Sequence, residues 1–336
     1  MEINVNASNN YKIVIEDNLE KLKELLNEVK SSKIAIISDS KVHSLYGWEV
    51  EHLIENKEVI SYEIKSGEES KNATNYITIL NYLALNNFKR TDTIVALGGG
   101  VVGDLAGFIG ATYLRGVNVI MVPTTLLSMV DSSIGGKTAI NLDMGKNLVG
   151  AFYQPSLVYI NTSFLSTLPS REITCGLGEI VKYAFIDKRV SVDLIKKGVS
   201  KDLIYNCILA KKDIVEKDEK ENGVRKLLNL GHTVGHAIER ALNYTLSHGE
   251  CVAMGIGVAI NVSNKLGVLS KENSEKAKEI VSLATNRTVS FDKEQIFKFI
   301  KIDKKSYDDK VDFIIIDNNL MANIKTLTLN ELYNLL

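Results

Sequence analysis

Apolar residues in the first half of the chain come in short runs separated by stretches of helical spacing. "KIAIISD" (33–39), "EVISYEI" (58–64), "DTIVALGGG" (92–100), "NVIMVPTT" (118–125) and "SLVYIN" (156–161) are rich in Ile and Val, and several end in Asp, Gly, Thr or Pro. These features predict strands. Residues 71–88 and 101–114 have helical character. Strands alternating with helices predict a Rossmann-like α/β domain with a mostly parallel sheet. After about residue 165 the pattern changes. In "REITCGLGEIVKYAFID", "KDLIYNCILAKKDIVEKDE", "GHTVGHAIERAL" and "ECVAMGIGVAINVSNKLG" the apolar positions recur at helical intervals. They predict a mainly α-helical C-terminal domain. "KVDFIII" (310–316) is the exception, a late strand or a buried segment. Pro169 interrupts "STLPSRE", so the domains are expected at 1–168 and 169–336.

Composition narrows the class. At 336 residues, 45% apolar and 24% charged, the chain has material for two ordinary cores. Its 40 basic and 41 acidic residues give a net charge of −1. That balance argues against nucleic acid or an anionic membrane as partner. An anionic ligand must be met by cations gathered locally. Cys175, Cys207 and Cys251 form no CxxC pair, which fits a reducing cytoplasm. "MEINVNASNN" lacks the pattern of a signal peptide, and "CVAMGIGVAI" is too short to span a bilayer. A soluble cytoplasmic protein is expected.

Three stretches carry candidate chemistry. Gly98, Gly100 and Gly103 stand in GxGxxG spacing between a predicted strand and a predicted helix. Such glycines let the backbone approach a pyrophosphate, and the helix start offers N–H groups and a positive dipole end. The acid expected some 20 residues on is missing, and Asp39 at the end of an earlier strand is its substitute. "VDSSIGGKTAINLDMGKNLVG" sets Asp131, Lys137, Lys146 and Asn147 among glycines. That suits a phosphate or carboxylate, or else a solvated surface loop. Its GGKT lacks the spacing of a Walker A loop. Finally, three of the five histidines fall within 17 positions: His232, His236 and His248. His232 and His236 share a helix face. Thr233 replaces the glutamate of an HExxH motif, which removes a metalloprotease reading. Glu179, with Lys182 three residues on, offers a carboxylate, and Gly249 beside His248 allows close backbone approach. The spacing alone leaves open which histidines bind an ion.

Taken together, "LGGGVVGDLAGFIGATYLRG", "PTTLLSMVDSSIGGKTAINLDMGKNLVGAFYQP", "STLPSREITCGLGEIVKY", "RKLLNLGHTVGHAIE" and "SHGECVAMG" resemble the 3-dehydroquinate synthases, sugar-phosphate cyclases of the shikimate pathway. The resemblance implies an N-terminal NAD-binding domain, a C-terminal helical metal-binding domain, and an active site in the cleft between them. It implies that Glu179, His232 and His248 ligate one divalent ion, zinc or cobalt, while His236 stands near the substrate's phosphate. Lys137, Lys146, Asn147, Lys182, Lys211, Arg225 and Asn229 match substrate-contacting positions, of which Lys137, Asn147, Lys182 and Arg225, with His236, are taken as catalytic. Arg115 matches an arginine that reaches the neighbouring subunit, implying a homodimer. For NAD the matches are Asp39, Glu68, Lys71, Gly99, Gly100, Asp104, Thr124, Thr125, Thr167 and Leu168, with Asp131 beside the nicotinamide. The substrate implied is an anionic phosphosugar, a deoxy-heptulosonate phosphate that loses phosphate and recloses as a carbocycle. The ending departs from the family pattern, and the resemblance does not choose between Lys304 and Lys305 as a substrate lysine. Alternatives on the same fold are an inosose- or valiolone-forming cyclase and a metal- and NAD-dependent polyol dehydrogenase.

Overall fold

The Ile- and Val-rich runs of the first half pair side by side in a single sheet. The computed structural model describes residues 1–285, 287, 292–303 and 309–336, so Lys304 and Lys305 lie outside the described residues. The chain falls into two units, Met1–Leu168 and Pro169–Leu336.

The first unit contains β1 (Glu2–Val5), β2 (Tyr11–Glu16), β3 (Lys33–Asp39), β4 (Glu58–Ile64), β5 (Thr93–Gly98), β6 (Asn118–Pro123), β7 (Lys137–Leu142), β8 (Gly145–Phe152) and β9 (Leu157–Asn161). Seven of them form one sheet in the order β1-β2-β9-β6-β5-β3-β4, and β7 and β8 make a separate antiparallel hairpin. Only the β1–β2 pairing within the large sheet is antiparallel. Every residue of β5 and β9 is buried, which is why these strands read as unbroken apolar runs rather than as alternation.

All five expected strands form, and the helical stretches become Ala73–Leu85 and Gly100–Thr112. The two hairpins of this unit were not expected from the pattern. β1 is four residues long in a polar start, and β8 is a glycine-, lysine- and asparagine-bearing strand with mostly exposed positions. Neither carries the β-branched density that marks a buried strand. From β4 the chain returns past β3 to β5, making a reversal of strand order between β3 and β5. Open parallel sheets bind ligands at the carboxyl ends of strands beside such a reversal. There β5 ends at Gly98, and Gly99 caps the helix Gly100–Thr112.

The second unit is mainly helical, with helices Ser170–Ala184, Lys201–Lys217, His232–Ala241, His248–Lys265, Lys271–Ser282, Lys293–Asp303 and Leu329–Leu335. The 310–316 segment is a strand, β10 (Lys310–Ile316), paired antiparallel with β11 (Ala322–Thr328). The Ile316 N–H donates to Ser263 Oγ at 2.9 Å, fastening β10 to the helix His248–Lys265. The core gathers Val181 and Phe185, Val234 and Ile238, Val252, Ile256 and Ile260 from three helices, with Phe313–Ile316 of β10 against them. Among the described residues no helix is long and apolar enough to cross a membrane.

Glycines decide how closely these helices approach. A Cβ on Gly249 would sit 1.8 Å from the Cys175 carbonyl oxygen, and one on Gly178 2.1 Å from the Gly249 carbonyl oxygen. Backbone therefore packs on backbone between Ser170–Ala184 and His248–Lys265. Gly231 has φ +80°, and its Cβ would meet the Val252 carbonyl oxygen at 2.5 Å. We expect Gly249→Ala to destabilise the protein by about 2 kcal/mol or more, since the obstructing atoms are main chain. The check is a lowered urea midpoint with unchanged slope.

Candidate metal and anion sites

Each of those glycines adjoins a candidate ligand: Gly178 precedes Glu179, Gly231 precedes His232, and Gly249 follows His248. Close helix approach therefore delivers three side chains to one point. Glu179 Oε1 lies 3.2 Å from Nε2 of His232 and 3.2 Å from Nε2 of His248. Donors on a tetrahedral ion at 2.0–2.2 Å stand roughly 3.3 Å apart. The opposite nitrogens are engaged elsewhere. His232 Nδ1 is 3.1 Å from the Leu230 carbonyl oxygen, and His248 Nδ1 is 3.4 Å from Glu239 Oε2. Both partners are acceptors, so each Nδ1 carries a proton and the orientation is that of a metal-ligating imidazole. The start of the helix is set by a capping box: the Glu250 N–H donates to Ser247 Oγ while the Ser247 N–H donates to Glu250 Oε2. That fixes His248 at the first helical position.

The electrostatics favour a cation. Burial opposes ionisation of Glu179, but Lys182 and His232 outweigh it and hold the carboxyl well below its ordinary range. Burial pushes His232 down to about 4 despite Glu179, leaving a lone pair on Nε2 that faces a carboxylate oxygen. Burial likewise opposes charge on His248, yet Glu179 and Glu239 push it up to about 9. Two electron-rich atoms facing each other make a donor set that a divalent ion satisfies. His236 lies near, its ring 5.4 Å from that of His232 and 5.7 Å from that of His248. One nitrogen from each of the three rings falls within 4.8 Å of the others. Glu179, however, is met by His232 and His248, and the helix-face pairing of His232 with His236 is not the one that shares the carboxylate.

The second unit also buries positive charge. Lys182, Lys211 and Arg225 are 1%, 6% and 1% exposed. Lys182 Nζ is 2.5 Å from Glu179 Oε2. The Arg225 guanidinium donates to the Glu219 carbonyl, and Asn229 Nδ2 donates to Glu221 Oε1 at 2.7 Å. Interior cations in such number suit an anionic ligand.

In the first unit the glycine turn is a cradle that side chains would fill. A Cβ on Gly99 would stand 3.0 Å from Thr125 Cγ2, and one on Gly100 3.2 Å from Ser132 Oγ. The Thr124 N–H donates to the Gly98 carbonyl at 3.0 Å, holding the end of β6 against the turn. The start of a thirteen-residue helix offers its N–H groups here, as a pyrophosphate requires. Asp39, at the end of β3, accepts from the Lys41 and Val42 N–H groups at 3.0 and 3.2 Å and from the Ser66 hydroxyl. It is thus a helix cap as well as a candidate ribose ligand. Lys71 is buried and lies 2.8 Å from Asp104 Oδ2, 3.3 Å from Glu68 Oε1 and 2.7 Å from Asn147 Oδ1. Burial works against its charge, but Asp104 and Glu68 hold its ammonium above the ordinary range. Asn147, expected on the substrate side, is thus hydrogen-bonded to a lysine expected on the nucleotide side. Asp131 sits in the turn Ser128–Ser132, while Lys137 and Lys146 are exposed on β7 and β8. Thr167 Oγ1 meets the Tyr46 hydroxyl, next to Leu168 at the unit's end. Arg115 is exposed on a turn where Leu114, Arg115 and Gly116 all have positive φ.

Sequence reasoning passed over Glu239 and the Ser247–Glu250 box. Glu239 stands seven residues after His232, two turns along the same face, and S-x-x-E before an apolar run was legible as a helix start.

A parallel-sheet unit followed by a helical unit is a fold shared with solved cyclases and, more distantly, with glycerol dehydrogenase. A 2-deoxy-scyllo-inosose synthase complexed with carbaglucose-6-phosphate, NAD+ and Co2+ superposes with a TM-score of 0.90 at 24% identity, covering 99% of this chain and 98% of that one. A 2-epi-5-epi-valiolone synthase from Streptomyces hygroscopicus, with NAD+ and Zn2+ bound, gives 0.87 at 22% identity over 97% and 95%. At that identity these two speak for the fold. Residues 61–175 match the model of the 3-dehydroquinate synthase N-terminal region and residues 176–306 that of its C-terminal region. The 3-dehydroquinate synthase of Campylobacter fetus is 40% identical over 326 residues, 94% of this chain and 92% of the relative. The chain belongs to the 3-dehydroquinate synthase family.

The buried ion pair yields a test. In metal-free protein, Lys182→Met strips the cation from a buried carboxylate and is expected to lower stability by about 3 kcal/mol. Adding Glu179→Gln should recover most of it, read by urea denaturation. Because the carboxyl is depressed, its contribution is present above 4.5, the ordinary value, and fades as pH falls through the depressed one.

Proposed function

We propose that the chain converts 3-deoxy-D-arabino-heptulosonate 7-phosphate into 3-dehydroquinate and phosphate, the lyase step of its family in the shikimate pathway, with NAD and one divalent ion, zinc or cobalt. The observation that carries this reading is the donor set of buried Glu179 with half-buried His232 and His248, both imidazoles held by their far nitrogens. When bound, NAD supplies a hydride acceptor that becomes a donor later in the same turnover, and the ion supplies a charge that acidifies a substrate hydroxyl.

The chain's own residues do the rest. Glu179, His232 and His248 hold the ion, and Glu239 and the Leu230 carbonyl aim the two imidazoles. Gly99 and Gly100 open the backbone to the pyrophosphate, while Asp39, Glu68, Lys71, Asp104, Thr124, Thr125, Thr167 and Leu168 hold the remainder of the nucleotide, and Asp131 stands by the nicotinamide. The substrate carries a carboxylate and a phosphate, so it needs cations at two places. Lys182, Lys211, Arg225 and Asn229 of the second unit supply one set, and Lys137, Lys146 and Asn147 of the first the other. Two anchored ends orient the reacting carbon, which can supply much of the rate. His236 orients the leaving phosphate, and that phosphate removes the carbon-bound proton itself. Exposed Arg115 serves the site of a second copy, making a homodimer, in a cytoplasmic enzyme.

Phosphate release assayed with NAD far below substrate tests the reading. Many turnovers per NAD are expected, with no net NADH; NADH accumulating without phosphate would make it a polyol dehydrogenase. His232→Ala and His248→Ala are expected to lose the ion and nearly all activity. His236→Ala is expected to keep stoichiometric ion by atomic emission while turnover falls by about 10²-fold or more. Mixing inactive Arg115→Ala with inactive His248→Ala should restore roughly a quarter of wild-type activity if Arg115 acts across a two-fold interface. No recovery on mixing would place Arg115 elsewhere.

A further inference from the structure

We infer that Asn141 is a positioning residue that couples nucleotide binding to the substrate-side turn, an inference that rests on the NAD and substrate assignments above. Four residues of the first unit close a ring of polar contacts. Lys71 Nζ donates to Asn147 Oδ1 at 2.7 Å, and the Asn147 N–H donates to Asn141 Oδ1 at 2.9 Å. Asn141 Nδ2 donates to Glu68 Oε1 at 2.7 Å, and Glu68 Oε1 lies 3.3 Å from Lys71 Nζ, where the ring closes. The Asn141 N–H also donates to the Lys71 carbonyl at 2.8 Å, so the end of β7 is laid against the segment that bears Glu68 and Lys71. Glu68 and Lys71 belong to the nucleotide set and Asn147 to the substrate set. Asn141 belongs to neither, and it bonds to both.

The chemistry of the two neighbours dictates the residue. A carboxylate at Glu68 only accepts, and a backbone N–H at Asn147 only donates. The bridging side chain must donate at one end and accept at the other, within the reach of two carbons. A primary amide does both, and here its orientation is unambiguous. The bond to the Asn147 N–H holds that residue at φ +57°, a left-handed conformation that non-glycine residues adopt rarely. Left without the bridge, the turn from β7 to β8 relaxes and Asn147 no longer presents its amide oxygen to Lys71. A rearrangement of Glu68 on nucleotide binding is therefore passed through this amide to the start of β8, which carries Lys146 and Asn147, while Lys71 reaches Asn147 by its own bond as well.

The test uses full-length, zinc-loaded protein and two ligands: NAD+, and the phosphonate analogue of the heptulosonate phosphate in which a methylene replaces the ester oxygen, so that phosphate cannot leave. Titration of each ligand, alone and with the other saturating, gives a coupling factor that must be equal in both directions. Wild type is expected to show mutual tightening of about fivefold or more. In Asn141→Ala the factor falls toward one and the KM for substrate rises more than kcat falls. Asn141→Asp keeps the acceptor for Asn147 but sets a second carboxylate against Glu68, and it should lose coupling too. In a Glu68→Gln background, Asn141→Ala should remove little further coupling. A merely structural role would lower thermal stability and leave the factor at its wild-type value in folded Asn141→Asp, and that result overturns the inference. Wild-type protein that binds NAD+ with no coupling also overturns it. Failure to bind NAD+ at all would sink the nucleotide assignment itself, and this inference with it.

Discussion

A carboxylate with almost no exposure, facing two imidazoles and an ammonium, is the constraint around which the second unit is arranged. Ionised Glu179 is tolerable inside the protein only because Lys182 and the histidines meet it at 2.5–3.2 Å. Those distances require the helices bearing Glu179 and His248 to touch through main chain, which requires Gly178 and Gly249. The direction of each imidazole then depends on a further atom, the Leu230 carbonyl or the Glu239 carboxylate. Backbone geometry, side-chain orientation and charge state are thus one problem with one solution. Burial and the like charge of Lys182 keep one histidine neutral, while two carboxylates keep the other charged in the absence of an ion.

The first unit offers positive potential by a different physical route. There the main chain leads: a glycine turn, a helix start and the ends of β3, β5 and β6 offer oriented dipoles without dehydrating a full charge. The exception is Lys71, buried among Glu68, Asp104 and Asn147. Dipoles suit a cofactor that stays through a turnover. Full charges suit a substrate that must be seized by both ends and then let go as something less anionic.

Much of this was legible in the residues. Continuous Ile and Val runs declared the parallel strands, because burial on both faces erases alternation. Gly98–Gly103 declared the turn. The histidines declared a candidate metal site, but their spacing left open which of them bind, and only the tertiary contacts of His232 and His248 with Glu179 show which pair converges on the carboxylate. A four-residue spacing reports a shared helix face and is silent about which face the neighbouring helix presents. The β7–β8 hairpin was hidden for another reason: β8 is mostly exposed and is held by cross-strand bonds to β7 rather than by apolar burial, and polar Gly-Lys-Asn sequence reads as loop. Asn147 was assigned by resemblance to the substrate, and its tie to Lys71 depends on a positive φ that no pattern of residue types announces.

The strand order has a consequence for how the protein is made. β2 lies between β1 and β9, and Lys12 sits opposite Leu157, so the N-terminal strand waits for nearly the whole unit to leave the ribosome before its parallel neighbour exists. At ordinary rates of synthesis that interval is on the order of ten seconds. During it the β1–β2 hairpin presents the edge of an apolar strand with nothing beside it. Nascent chains stalled before residue 157 are the ones a chaperone would be expected to hold.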